Sequence, residues 1–345
     1  MVPMKHQDGY IHTPFPQQLV IEVTAACNQR CIFCGRSYME RPKKTMPRSL
    51  FEKIVQEVAH ESPYTEIWPA FMGESMLLGN KLFDQIRYAK EIGCQKITLN
   101  TNGTRINERT VPHLIECGID RLIVSCDAHT AATHALVRPK TRSNGEGLEE
   151  IYRGVLLLLR TLHKRNLRRP LIEMQFSVFD ENEHEAEAFC RFWLDQGAIV
   201  KIRPKLHWSG TVADGGSPAC SHGRKPCLWA LETAAIHWNG NVVMCAVDCE
   251  GKYVAGNIEI QTVKEIWNGP LRWIRELHIR HRFNELPEIC RKCPDWGVKK
   301  ARAYFPDTFW EAEYEGYLRQ GRIFLQQHYW REAGPALRQS SAALH

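Results

Sequence analysis

Between residues 19 and about 203, short apolar runs alternate with stretches whose apolar residues recur every three or four positions. The runs Leu19–Val23, Glu66–Phe71, Lys96–Leu99, Arg121–Ser125, Leu171–Val178 and Ile199–Arg203 are rich in β-branched and aromatic residues and read as strands. Between them, Phe51, Ile54, Val55 and Val58 fall on one helical stripe, as do Leu148, Ile151, Val155, Leu159 and Leu162, and then Phe189, Phe192 and Trp193. Six strand–helix units predict an α/β fold, a partial (β/α)6 TIM-like barrel in which helices cover a parallel sheet. Such folds gather their chemistry at the C-terminal ends of the strands.

The pattern changes at residues 208–226, WSGTVADGGSPACSHGRKP, where Gly, Ser and Pro take over and a linker is expected. This divides the chain into an N-terminal extension (1–18), the partial barrel (19–207), the linker, a small cysteine-bearing module (227–296) and an aromatic-rich tail (297–345), expected as helices broken at Pro306 and Gly321. At 345 residues the chain can bury one large core and a smaller one. No apolar run approaches the roughly 20 residues a membrane span needs. The N-terminus MVPMKHQDGYIH lacks a secretory stretch, so a cytoplasmic, reducing setting is expected. In that setting thirteen cysteines point to metal or redox chemistry rather than disulfides. A net charge of +6 without a basic stripe gives no support to nucleic-acid binding.

Cys27, Cys31 and Cys34 stand in CNQRCIFC, directly after the first strand, where the fold expects chemistry. Three thiolates in C-x3-C-x2-C are one short of a closed four-cysteine site, so a 4Fe–4S cluster held by them would keep one iron open. A zinc site completed from a distance is the alternative, but zinc favours paired C-x2-C units. The triplet resembles that of the radical S-adenosylmethionine (AdoMet) enzymes, with Phe33 at the adenine-contacting position. The resemblance implies that the open iron binds AdoMet, and that one electron cleaves the sulfonium to give a 5′-deoxyadenosyl radical able to abstract hydrogen from an unreactive C–H bond. It implies further cofactor contacts at the strand ends. Gly73 and Glu74, in MGES, resemble the element that holds the AdoMet amino group, although Met72 replaces its first glycine. Asn102, in LNTNGT, lies in the family's third-strand turn, and Ser125, Asp127 and Ser177 stand where ribose or methionine is contacted. Arg138 occupies a position read as structural.

A second set follows. Cys227, then Gly240, Cys245 and the closing Cys290-x2-Cys293 supply four thiolates from three places, as suitable for zinc as for iron by spacing alone. The set resembles the SPASM and shortened twitch modules, a match strengthened by GNI at 256–258 and KEIWN at 264–268, and so implies one auxiliary 4Fe–4S cluster. Of the other cysteines, Cys94, Cys117, Cys126 and Cys190 read as small core residues, and Cys220 as a possible substitute ligand. Cys249, closing CAVDC, is a near neighbour of the metal without being needed as a ligand. Its S–H bond is weak enough to return a hydrogen atom to a substrate radical, and return on the opposite face inverts the carbon.

This constellation resembles the radical AdoMet epimerases of aminoglycoside biosynthesis. The resemblance implies inversion of a sugar carbon, with Cys249 as hydrogen donor and a reducing partner such as flavodoxin or ferredoxin. A cationic sugar needs carboxylates, and Asp248 and Glu250 are candidates by position. Basic residues near the cysteines (Arg30, Arg36, Lys43 and Lys44; Arg291, Lys292, Lys299 and Lys300) could dock the acidic donor. A dehydrogenase on the same scaffold, a peptide maturase and a zinc-stabilised binding module remain as alternatives.

Overall fold

A computed structural model describes residues 12–140, 147–212, 223–297, 302–304 and 306. The strands are β1 Gln18–Ile21, β2 Glu66–Trp68, β3 Lys96–Thr101, β4 Arg121–Ser125, β5 Leu171–Val178, β6 Ile199–Pro204, β7 Thr233–Ile236, β8 Asn241–Val243, β9 Val254–Asn257 and β10 Arg302–Tyr304. The first six fall on the six runs picked out by hydrophobicity. The chain divides into two compact units, and the lower-numbered one comprises Met1–Thr101, His113–Asp120 and Leu206–Val298.

In this unit β3, β2, β1 and β7 pair in parallel, and β7, β8 and β9 continue antiparallel. The cysteine-bearing segment thus adds its first strand directly to β1, in register from Gln18↔Thr233 to Ile21↔Ile236. Leu19, Ile21, Ile54, Val55, Val58 and Ile67 are fully buried, which accounts for the helix Arg48–Glu61 covering the sheet with the stripe read from sequence. Before β7 the short helix Leu228–Glu232 ends on a carboxyl that burial pushes up to about 7. Because the folded value lies above the ordinary one, the stability this group contributes is intact at low pH and is lost as pH rises toward and past 7. Replacing Glu232 with Gln keeps the shape and removes the charge, so the variant should gain about 1–3 kcal/mol at pH 8 and much less at pH 5. Thermal unfolding across that range checks this; a pH-independent difference would contradict it.

The second unit comprises Asn102–Pro112, Arg121–Lys205 and Lys299–His345. Here β4, β5 and β6 are parallel and β10 closes antiparallel on β6. Leu122, Val124, Met174, Phe176 and Val200 bury one face beneath the helices Leu148–Lys164 and Ala186–Asp195. Within the first of these, Leu158 is fully buried where the sequence pointed to Leu159, which is half-buried one position round the helix. Cys94, Cys117, Cys126 and Cys190 are buried as expected. Cys220 and all but a few tail residues lie outside the described residues, and among the described residues no helix is long and apolar enough to cross a membrane.

Candidate radical and auxiliary cluster sites

The loop after β1 is closed by a short ladder in which Ala25 N donates to Lys44 O (2.9 Å) and Met46 N to Val23 O (2.9 Å). Arg36 reaches back to donate from Nε to Ala25 O at 2.8 Å, and Lys43 donates to Met39 O at 2.8 Å. These two cations therefore brace the loop that was read as a docking patch. Within the loop Cys34 N donates to Cys31 O (3.1 Å), and the turn Gly35–Tyr38 follows. Cys27 is shifted up to about 11 by burial, then by the nearby Glu74 carboxylate, and also by Cys34.

Gly73 is where the segment after β2 crosses this loop. A Cβ there would lie 2.1 Å from Thr24 O and 2.7 Å from Ala26 O, while Glu74 N donates to Ala26 O at 2.8 Å. The Glu74 carboxylate, 2 % exposed, accepts from Thr101 Oγ1 (2.8 Å) and Met76 N (2.9 Å). The triplet, Gly73 and Glu74 are thus brought together in one unit.

The other proposed cofactor contacts lie in the second unit. Asn102 Oδ1 accepts from Thr104 N (3.1 Å) and Thr104 Oγ1 (2.7 Å), a local turn built around Gly103 at φ +78°. Ser125 Oγ accepts from Gln175 Nε2 at 3.1 Å. Asp127 is at φ +58° and fully buried. Its carboxylate pairs with Arg138 and accepts from Ser177 N, and Asn182 donates to its carbonyl at 2.9 Å. Asp127 and Arg138 thus hold the strand ends together. The Ser177 hydroxyl, by contrast, is 1 % exposed and has no protein partner among the described residues. A buried orphan hydroxyl suits a polar ligand group.

The second cysteine set converges. Burial raises the Cys245 thiol, and so do Cys227, Cys293 and Cys290; Cys290 in turn feels Cys227 and Cys293. Cys245, Cys290 and Cys293 share one apolar core with Leu206, Met244, Val247, Ile274, Leu277 and Leu286. His278, fully buried and shifted down to about 4 by burial, meets Cys227 N through Nδ1 (3.3 Å) and Cys290 Sγ through Nε2 (3.4 Å). Arg224 donates to Cys290 O (2.9 Å) and Sγ (3.5 Å), and Asp295 N donates to Cys293 Sγ at 3.3 Å. Donors aimed at sulfur fit thiolates that carry a charged cluster.

Cys249 stands apart from this set. It is 3 % exposed, packs with Met39 and Met72, and has Cys34, Phe71 and Trp208 against that group. Its thiol is pushed up to about 11, first by burial and then by Asp248, Cys34 and Glu250, and a Cβ on Gly35 would lie 3.1 Å from its Sγ. The thiol therefore faces the radical triplet.

Asp248 and Glu250, the residues expected to meet a cationic substrate, bond to backbone N–H groups. The Asp248 carboxylate accepts from Gly251, Lys252 and Tyr253 N (2.8–3.0 Å). That of Glu250 accepts from Glu40 N (3.0 Å) and Arg41 N (2.8 Å). Both shape the Cys249 turn. Arg41 completes it, donating to Cys249 O at 2.6 Å while both its terminal nitrogens bind Glu22 at 2.7 Å. Sequence reasoning missed Arg41, Glu22, Gly35 and Trp208; the only signal was a glycine directly after the third cysteine.

Residues 21–192 match the radical SAM superfamily and residues 227–294 match SPASM, an iron–sulfur cluster-binding domain. The AdoMet-dependent heme synthase of Methanosarcina barkeri is 31% identical over 342 residues, covering 85% of this chain and 93% of that protein. The S-adenosyl-L-methionine-dependent 2-deoxy-scyllo-inosamine dehydrogenase of Niallia circulans is 23% identical over 287 residues, covering 82% and 95%. Among solved structures, BtrN in complex with AdoMet and 2-DOIA superposes with a TM-score of 0.56 at 18% identity, over 82% of this chain and 95% of that one. The chain belongs to the radical SAM superfamily and carries a SPASM domain, so its cofactors are AdoMet and 4Fe–4S clusters. Its fold is the mostly parallel α/β sheet of that superfamily.

Proposed function

We propose that the chain is a radical SAM epimerase that inverts a carbon of an aminated sugar, specifically carbon 5 of the terminal diamino ring in the conversion of neomycin C to neomycin B. The observation that carries this is the placement of Cys249, buried against Gly35 and Cys34 and outside the auxiliary set. Bound AdoMet and the reduced cluster supply a hydrogen-abstracting radical. The chain's own part is to hold the substrate carbon between that radical and the thiol. Loss of one hydrogen atom from carbon 5 leaves a carbon radical; transfer of the Cys249 S–H hydrogen to the opposite face gives the epimer and a thiyl. One electron from a flavodoxin- or ferredoxin-like donor, with one proton, restores the thiol.

A second reading is favoured by the comparisons. The 2-deoxy-scyllo-inosamine dehydrogenase, by its name an oxidising enzyme, matches over 95% of its length, and this relative supports oxidation of a substrate alcohol to a ketone. Both readings share an aminated ring substrate and hydrogen abstraction. Reduced, cluster-loaded enzyme incubated with AdoMet and neomycin C separates them. An isomer of unchanged mass is the expected product; a product two mass units lighter would replace epimerisation by dehydrogenation.

A further inference from the structure

We propose that Trp208 is a positioning residue that seats the Cys249 thiol, and that Asp295 holds it there from the auxiliary side; the inference rests on the donor role given to Cys249 above. Trp208 packs against two groups at once. One is the core that carries Cys245, Cys290 and Cys293, and the other holds Cys249 with Met39 and Met72. Its indole Nε1 donates to Phe33 O at 2.9 Å, inside the radical triplet. A Cβ on Gly35 would stand 2.8 Å from Trp208 Cγ and 3.1 Å from Cys249 Sγ, so indole, thiol and the Gly35 backbone close on one another without a gap.

The backbone that presents the indole is strained. Trp208 (φ +51°) and Ser209 (φ +58°) are successive non-glycine residues in the left-handed region, a conformation that persists only where the surroundings enforce it. Asp295 is the enforcing group. Its buried carboxylate accepts from His207 N (2.7 Å) on one oxygen and from Ser209 N (2.9 Å) on the other, spanning the strained turn. Its own N–H donates to Cys293 Sγ. A continuous set of contacts therefore runs from an auxiliary ligand through Asp295 and the turn to Trp208 and the thiol. Released from Asp295, the turn would relax to ordinary dihedrals and carry the indole off Cys249.

Two measurements on anaerobically purified, cluster-loaded full-length enzyme test this. The first is the rate at which iodoacetamide alkylates Cys249, followed by peptide mass spectrometry. The second is the ratio of 5′-deoxyadenosine formed to product released. Trp208→Ala should speed alkylation and raise the ratio, each by about tenfold, the equivalent of one decade in an equilibrium that exposes the thiol. Trp208→Phe should restore most of the wild-type behaviour, because the ring still covers the sulfur. Asp295→Asn should move both readouts in the same direction as Trp208→Ala with iron content retained. Wild-type alkylation and ratio in the alanine variant would overturn the proposal. If that variant fails to hold iron, Asp295→Asn decides on the same criteria. Alkylation does not depend on what the thiol does: a Cys249→Ala enzyme that still makes product, beside faster labelling in Trp208→Ala, would place the failure in the donor role and not in the seat.

Discussion

Cys249→Ala should hold both clusters, bind AdoMet and form 5′-deoxyadenosine, yet release no epimer. The side chain is buried and small, so truncation removes one sulfur atom at a cost within the ordinary 0.5–3 kcal/mol of a point substitution. None of the auxiliary thiols depends on it, because its sulfur packs with Met39 and Met72 beside Cys34. On the proposed donor role, what the variant lacks is the hydrogen atom for the second face of the substrate radical. Product formation should fall by at least about a thousandfold, a barrier increase of about 4 kcal/mol, while iron analysis stays at the wild-type value. Loss of auxiliary iron would make Cys249 a ligand; undiminished turnover would make it a packing residue.

Gly73→Ala should be the most damaging single methyl in the radical site. The new Cβ would meet Thr24 O at 2.1 Å and Ala26 O at 2.7 Å, and both are backbone atoms that cannot rotate away. The two segments must separate, breaking the bond from Glu74 N to Ala26 O and displacing the residues directly before Cys27. Overpacking and a lost buried hydrogen bond together cost about 2–5 kcal/mol. Displacement by ~1 Å at a reacting site can cost a hundredfold in rate, so AdoMet cleavage should drop by about that factor or more. Cleavage at the wild-type rate would show that this approach of backbone to backbone does not shape the site.

The strands were legible because buried parallel strands are short apolar runs bounded by polar turns, and the cysteine motifs stood out because their spacing is local. Gly73 was legible as a motif, but its reason is not: only the fold brings Thr24 and Ala26 onto it. The backbone bonds of Asp248 and Glu250 were not legible, because a loop carboxylate looks the same in sequence whether it meets a ligand or caps backbone N–H groups. The pairing of Asp127 with Arg138, eleven residues on, was hidden for the same reason. Trp208 was hidden in a segment whose Gly, Ser and Pro content reads as linker. Its place depends on Asp295, 87 residues later in the sequence.

The most direct test of hydrogen return by Cys249 is the reaction run in heavy water. A thiol exchanges its proton with solvent, whereas the carbon-bound hydrogens of the sugar do not. The epimer should therefore gain one deuterium, located at the inverted carbon, and the recovered starting material none. An epimer without solvent label at that carbon, or a ketone two mass units lighter, would contradict the account.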